Sequence, residues 1–153
     1  MSSETKINFV VRGMEEGDLQ KGFFETLSNL TEVGEISNDF ERAKKIFRAI
    51  KANPLYKIFV AVKDDGEVIG LTTLLIEQKF IHDGGKVGHI EDVVTRKEYG
   101  GIGIGAALIH ASLAFAQEND CYKVILDCSE NNVLFYEKIG FRKHSIGMRY
   151  DIK

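Results

Sequence analysis

The spacing of apolar residues along the chain alternates between helical and strand-like periods, and each change marks a predicted element. Apolar residues recur every three or four positions after Asp18 and again after Ser37, so we predict two helices that these polar residues cap. A helix from Ile104 and a short helix over 132–139, closed by Gly140, show the same spacing. Runs rich in β-branched and aromatic residues predict six strands: 7–12, 56–63, 68–77, 87–95, 122–127 and 145–152.

The order of these elements indicates one α/β domain built on a mixed sheet, spanning residues 1–153. The helix from Ile104 is apolar around much of its girth, so we expect the sheet to cover it. The apolar run 122–127 reads as a central strand, and 145–152 as the last one. No repeat, linker or low-complexity segment interrupts the pattern.

Composition excludes several classes of function. The 153 residues carry a formal net charge of −3, which favours neither nucleic acid nor an anionic membrane as a partner. Two cysteines are too few for a disulfide framework, the first residues are polar, and no apolar run is long enough to span a bilayer, so we expect the cytoplasm, with import into an organelle left open. The four histidines lack metal-ligand spacing, and we expect no metal.

Residues 100–105, which we call the glycine loop, hold four glycines directly before a predicted helix. Glycines let backbone N–H groups approach a ligand closely, and the start of a helix favours negative charge, so this loop predicts a pyrophosphate site. The order Gly-Gly-Ile-Gly-Ile-Gly completes neither the Rossmann fingerprint nor the Walker pattern.

The glycine loop resembles motif A of the GNAT acyltransferase superfamily, Q/R-x-x-G-x-G/A, with Gly103 and Gly105 at its two glycine positions. Gly100 stands where the family has Gln or Arg, which should weaken cofactor binding rather than abolish it. Five further segments resemble the glucosamine-6-phosphate N-acetyltransferases in the family's own order: 30–34, 80–82, 88–94, 121–123 and 132–141.

This resemblance implies the GNAT fold, a three-layer domain with a splayed central sheet, and acetyl-CoA as co-substrate. It also implies a homodimer and direct attack of the amine of glucosamine 6-phosphate on the thioester, in a ternary complex on the route to UDP-N-acetylglucosamine. By matching position, the strand before the glycine loop, the loop itself and the short helix would contact acetyl-CoA. The residues concerned are Val93, Val94, Thr95, Gly100, Gly101, Ile102, Gly103, Ile104, Gly105, Ala106, Asn132 and Tyr136.

Glu91 and Asp92 interrupt an apolar strand, which is costly unless the carboxylates are paired, solvated or used. Alternation along a strand exposes one of two neighbours but not both. We therefore favour a role in binding the amino sugar, which the resemblance also implies, over simple exposure.

Two further side chains are candidates for proton transfer. Tyr136 lies about 100° around its helix from Phe135, which we expect to form a core pair with Ile139. Its phenol could donate a proton to the departing CoA thiolate, the alternative being a core tyrosine. Asp127 is placed to accept a proton from the substrate amine, or is an ordinary acid at a strand end.

A sugar phosphate requires cations and hydroxyl donors. With the family positions included, the predicted substrate set is Thr31, Lys79, Phe80, Ile81, His82, Glu91, Asp92, Val93, Tyr122, Lys123 and Arg149. Two other functions stay open: a GNAT enzyme for another small amine or a protein amine, and an acetyl-CoA-binding regulator without turnover.

Overall fold

A computed structural model describes residues 6–153; the polar start of the chain, from which the absence of a targeting signal was predicted, lies largely outside this range. The strands are β1 Phe9–Gly13, β2 Tyr56–Lys63, β3 Val68–Gln78, β4 Lys86–Thr95 and β5 Cys121–Ile125. The helices are α1 Phe23–Leu27, α2 Phe40–Lys51, the single turn α3 Ile81–Gly84, α4 Ile104–Glu118 and α5 Val133–Ile139. Short 3₁₀ turns lie at Glu16–Gln20, Glu35–Asn38, Lys97–Tyr99 and Glu130–Asn132.

The five strands form one sheet in the order β1-β2-β3-β4-β5. Neighbours are antiparallel except β4 and β5, which run parallel because α4 crosses over between them. The predicted mixed-sheet α/β fold is confirmed. The expectation of a central strand at 122–127 was wrong, since β5 lies at the edge of this sheet and exposes Tyr122 and Lys123.

Helices cover both faces of the sheet and make three layers. Side chains of α1 and α2 pack with Val60 and Val62 of β2 on one face. On the other face, Ile104 and Leu108 of α4 pack with Ala61, the residue between those valines. A strand buried on both faces must be apolar at consecutive positions, which explains the uninterrupted apolar centre of β2.

The first predicted helix is broken into the 3₁₀ turn Glu16–Gln20 and α1, because Gly22 between them adopts a left-handed φ of 89°. Asp18 does not cap a helix. Its buried carboxylate accepts two hydrogen bonds of 2.8 Å from the guanidinium of Arg12 and a third of 2.8 Å from the backbone N–H of Glu15. Asp18 is therefore the third residue of the turn and not its N-cap, and the bond from Glu15 is one half of a capping box.

The second helix, α2, starts later than predicted. Asp39 is its cap, because the carboxylate accepts a hydrogen bond of 3.1 Å from the backbone N–H of Arg42. Ser37 lies in the preceding 3₁₀ turn and donates instead to the carbonyl of Gly34 at 3.0 Å. The short helix predicted to close at Gly140 is confirmed as α5.

The last predicted strand, 145–152, does not form in this structure. A strand requires a neighbour for its backbone hydrogen bonds, and the described residues place none beside this segment. Its alternate apolar side chains are 85–95% exposed: Ile146, Met148, Tyr150 and Ile152. We call residues 142–153 the C-terminal tail.

A β-bulge interrupts β4 at the predicted carboxylate pair. Thr73 pairs with Glu91 and Leu71 with Val94, so that Asp92 and Val93 together oppose the single residue Thr72. On its other edge, β4 pairs with β5 only as far as His89 and Ile125. The two strands therefore part beyond His89, as predicted, and leave an open cleft beside the bulge.

Candidate active site

The glycine loop presents backbone donors at the start of α4. Gly101 and Gly103 have φ of 79° and 92°, a left-handed conformation in which other residues are strained. The first hydrogen bond within α4 runs from Ala107 N–H to the carbonyl of Gly103, and no side chain caps the helix. The N–H groups of residues 104–106 are therefore available to an anion, which the positive end of the helix dipole also favours.

The loop, β4 and α5 meet at Gly105. A Cβ built on this glycine would lie 3.3 Å from Cζ of Phe135, which is tight, and 3.9 Å from Oγ1 of Thr95, which is an ordinary contact. The side chains of Val94 and Ile104 are buried in the apolar packing on the two faces of the sheet, so only their backbone can reach a ligand. Val93 is half-buried and Ile102 is exposed. The structure thus brings the predicted cofactor residues of three elements together.

Tyr136 is the buried aromatic residue of α5. Its ring is 7% exposed and stands edge-on to Phe135 and Phe141, whereas Phe135 is 37% exposed against the glycine loop. The expectation that Phe135 is the core residue was therefore wrong. Burial raises the pKa of the Tyr136 phenol, and the nearby Cys128 adds to the shift, so the hydroxyl keeps its proton at neutral pH. Asn132 lies exposed directly before α5.

Both carboxylates of the pair in β4 are exposed, which simple alternation cannot produce. Asp92 adopts a left-handed φ of 52° at the bulge, so the chain turns both Glu91 and Asp92 toward solvent. Burial raises the pKa of the phenol of Tyr56, at the start of β2, and the charge of Asp92 raises it further. No motif surrounds Tyr56, and the sequence did not predict it as a residue near the site.

Asp127 lies two residues beyond the end of β5, past the point where β4 and β5 stop pairing. The C-terminal tail passes directly over it, because a Cβ on Gly147 would lie 3.3 Å from one carboxylate oxygen. A glycine at this position lets the tail approach the acid closely.

Four of the predicted phosphate-binding residues cluster where α3 meets β5. The ring of His82 stacks on Tyr122 with centroids 4.1 Å apart, and Nζ of Lys123 lies 5.7 Å from the centre of the same ring. Lys79 adjoins this group through its backbone N–H, which donates at 2.9 Å to the carbonyl of Gly85, a residue that packs against the ring of Tyr122. The ammonium of Lys79 forms an ion pair of 3.2 Å with Glu77. Hydrogen bonds from His89 and Lys79 lower the pKa of Glu77, which therefore offsets part of the positive charge of this cluster.

The other predicted substrate residues lie apart from this cluster. Phe80 and Ile81 are exposed on α3, and Arg149 lies in the C-terminal tail, where Asp151 binds it at 2.6 Å. Thr31 follows α1, in the loop 28–34 that we call the acceptor loop; its N–H donates to the carbonyl of Leu27 at 3.3 Å. A groove of about 520 Å³ runs beside this loop, lined by residues that include Phe24, Ser28 and Val33.

Within residues 6–153, no three His, Cys, Asp or Glu side chains approach closely enough to form a metal site. No helix in the same range has both the length and the apolar character that crossing a bilayer requires.

Comparison with known proteins gives a consistent result. The sequence profile described as acetyltransferase (GNAT) family matches residues 23–141. Proteins named glucosamine 6-phosphate N-acetyltransferase are similar along most of their length: that of Candida albicans is 40% identical over 92% of this chain and 93% of its own. That of Trypanosoma brucei brucei is 40% identical over 95% of this chain and 97% of its own.

A solved structure is similar over the same range. The crystal structure of glucosamine-6-phosphate N-acetyltransferase from Arabidopsis thaliana superposes with a TM-score of 0.89 at 35% identity, covering 95% of this chain and 99% of that one.

Proposed function

The chain belongs to the acetyltransferase (GNAT) family, and within it to the glucosamine 6-phosphate N-acetyltransferases, and on that premise we propose that it transfers the acetyl group of acetyl-CoA to the amine of D-glucosamine 6-phosphate. The resemblance predicted from the sequence, with its GNAT fold, is thereby confirmed. The observation that carries the proposal is the cleft itself: the glycine loop lies at one end, and the exposed carboxylate pair of β4 lies in its wall.

The site fits the phosphates and the arm of acetyl-CoA. The N–H groups of residues 104–106 and the exposed backbone of Gly101 and Gly103 suit a pyrophosphate. The free edge of β4 beyond His89 offers backbone donors and acceptors to an extended amide chain. Acetyl-CoA supplies the activated acetyl group; every other role falls to the protein.

We assign the proton transfers to residues around the cleft. A bond forms between the amine nitrogen and the acetyl carbon while the carbon–sulfur bond breaks, so the nitrogen must lose a proton and the sulfur must gain one. Glu91 and Asp92 bind and orient the amino sugar, and Asp127 accepts the proton from its amine. Tyr136, whose raised pKa keeps it protonated, donates to the sulfur. Direct transfer needs no acyl-enzyme, so Cys128 has no nucleophilic role.

The cluster of Lys79, His82, Tyr122 and Lys123 is the part of the site that suits the 6-phosphate. Tyr122 and Lys123 lie on β5, His82 in α3 and Lys79 just after β3, at the end of the sheet where β4 and β5 still pair. The product, N-acetyl-D-glucosamine 6-phosphate, would enter UDP-N-acetylglucosamine synthesis, and we place the reaction in the cytoplasm.

We also propose that the active form is a homodimer. The C-terminal tail exposes four large apolar side chains on alternate residues, and β5 exposes its outer edge. Such a face and a free strand edge are typical of a surface that another chain covers. A second copy of this chain offers the matching edge and tail by symmetry.

The experiment that tests the function measures CoA release from acetyl-CoA with four acceptors: glucosamine 6-phosphate, glucosamine, spermidine and a peptide. We expect rapid turnover with the sugar phosphate and a much larger KM for glucosamine, because only the first engages the phosphate cluster. Equal efficiency with spermidine or the peptide would instead identify another amine as the acceptor. Tight acetyl-CoA binding without turnover on any amine would identify a binding protein.

A further inference from the structure

Arg96, the residue directly after β4, is a charged side chain in a place where charge is costly. It is 9% exposed, and its guanidinium contacts elements on two sides. Nε donates to Oγ1 of Thr26 in α1 at 3.0 Å, Nη2 to the carbonyl of Gly22 at 3.2 Å, and Nη1 to the carboxylate of Glu67 between β2 and β3. A buried arginine with this many partners fixes the relative position of the segments it joins.

The backbone at Gly22 is built for this contact. Its φ of 89° suits glycine, and a Cβ there would collide with Nη2 of Arg96. Thr26 is fully buried, and its hydroxyl donates to the carbonyl of Val68 in β3 at 2.8 Å. Through Thr26, Arg96 is therefore connected to both α1 and the sheet.

A second link joins the same two regions. The backbone N–H of Lys97 donates to Oδ1 of Asn29 at 3.1 Å. The amide nitrogen of Asn29 donates to the carbonyl of Glu25 at 2.9 Å, which fixes the orientation of the side chain. Asn29 lies in the acceptor loop, two residues before Thr31, and Lys97 begins the 3₁₀ turn that leads into the glycine loop.

We propose that Arg96 and Asn29 are positioning residues that hold the glycine loop and the acceptor loop in one fixed geometry, so that CoA and the sugar phosphate each strengthen the binding of the other. This inference rests on the proposed function, which assigns the glycine loop to CoA, and on the sequence resemblance, which implies that Thr31 of the acceptor loop contacts the sugar phosphate. A ligand that orders one loop also orders the other through these bonds, and coupling of this kind is reciprocal.

Three variants separate positioning from stability. Asn29→Ala removes the acceptor of the Lys97 N–H; Asn29 is half-buried and this bond is exposed, so folding should survive. Arg96→Lys keeps a charge for Glu67 but loses the fixed fork that reaches Thr26 and Gly22 together. Asn119→Ala is the matched control, because Asn119 makes a comparable bond of 2.8 Å to the carbonyl of Phe115 at the far end of α4.

Calorimetric titration gives the dissociation constant of CoA for each variant, with and without saturating glucosamine 6-phosphate. In the wild-type protein we expect the sugar phosphate to tighten CoA binding. Asn29→Ala and Arg96→Lys should weaken CoA binding about three- to tenfold, the range that loss of one hydrogen bond produces, and reduce the tightening toward none. Asn119→Ala should leave both quantities unchanged, even if its melting temperature falls equally.

Unchanged CoA affinity in Asn29→Ala and Arg96→Lys, or an equal loss in Asn119→Ala, would overturn the positioning role. Absence of any effect of glucosamine 6-phosphate on wild-type CoA binding would overturn the coupling. If glucosamine 6-phosphate does not bind at all, the proposed function fails, and the CoA titrations without sugar still decide whether the two residues position the glycine loop.

Discussion

Asp92 combines a charge that chemistry needs with a backbone conformation that costs energy. Its φ of 52° lies in the left-handed region, which costs an ordinary residue roughly 1–2 kcal/mol and aspartate somewhat less. Two adjacent carboxylates in an apolar strand cannot both follow its alternation, so the sequence indicates an irregularity here. Periodicity alone does not predict the bulge; the resemblance to the GNAT family implies it, and the pairing of β4 around Thr72 of β3 confirms it.

Substitutions at Asp92 should separate its conformational role from its chemical role. Asp92→Gly removes the strain and should be about 1 kcal/mol more stable than Asp92→Ala in urea unfolding, because glycine adopts positive φ freely. Turnover should fall at least tenfold in both variants. Asp92→Asn, which tolerates this conformation but has no charge, should match the wild-type stability and lose as much turnover. Equal stability of the Gly and Ala variants would show that the conformation is not strained.

Tyr136→Phe tests the donor to the sulfur atom. The ring stays packed against Phe135 and Phe141, so the melting temperature should change little. We expect kcat to fall about 100-fold, the lower range for loss of a general acid, while the KM for acetyl-CoA stays within twofold. Because the pKa of this phenol is raised, wild-type kcat should not decline through neutral pH on account of Tyr136. A rise in KM without a loss of kcat would assign Tyr136 to binding alone.

At the scale of elements, the sequence predicted periodic segments well and their ends poorly. β2, α4 and α5 follow from local spacing, although the buried aromatic residue of α5 is Tyr136 and not Phe135. The predicted caps were wrong for different reasons: Asp18 is the third residue of its turn and binds Arg12, and Ser37 donates to the carbonyl of Gly34 within the turn that precedes α2. The site shows a similar contrast between local and distant determinants. The glycine loop is a local motif, whereas the contacts of Arg96 and Asn29 join residues far apart in the chain.

The ion pair of Asp18 and Arg12 should anchor the segment before α1 to β1. Asp18→Asn should lower the free energy of unfolding by about 2–3 kcal/mol at pH 7, since it weakens a buried pair with one partly exposed partner. Burial raises the pKa of Asp18, but the hydrogen bonds from Arg12 and Glu15 lower it by more, so the pKa in the folded state is below its usual value. The stabilisation from the Asp18 carboxylate is therefore fully present above the pKa of the unfolded state, and it is lost as the pH falls through the pKa of the folded state.

The difference in the free energy of unfolding between wild type and Asp18→Asn should therefore begin to decrease below about pH 4. Urea unfolding at pH 7 and in steps down to pH 3 measures it. Glu118→Gln, at an exposed position in the last turn of α4, serves as control and should change stability by less than about 0.5 kcal/mol. A difference that stays constant down to pH 3 would contradict the role of the charge.

At the scale of the whole molecule, the C-terminal tail is the part whose alternating pattern is not matched by a strand. Residues 6–153 place no strand beside it, and we propose that a second copy supplies one. Sequence periodicity reports that a face is to be buried and does not say which chain buries it.

Removal of residues 144–153 should therefore convert the protein from dimer to monomer, halving the mass measured by light scattering. Met148→Asp should act in the same direction, because it puts a charge on the apolar face of the tail. Ser145→Asp is the matched control on the opposite face and should leave the mass unchanged. A full-length protein that is monomeric at micromolar concentration would contradict the proposed dimer.

The parting of β4 from β5 has a consequence for deuterium uptake. Beyond His89, one edge of β4 stays bonded to β3 while the other edge has no strand beside it in the described part of the chain. Backbone amides that point into the cleft should take up deuterium as quickly as those of a loop, and their neighbours in the same strand slowly. A map of uptake would show alternate residues of a rigid strand as labile, and a bound acyl-CoA should slow those residues without moving the strand.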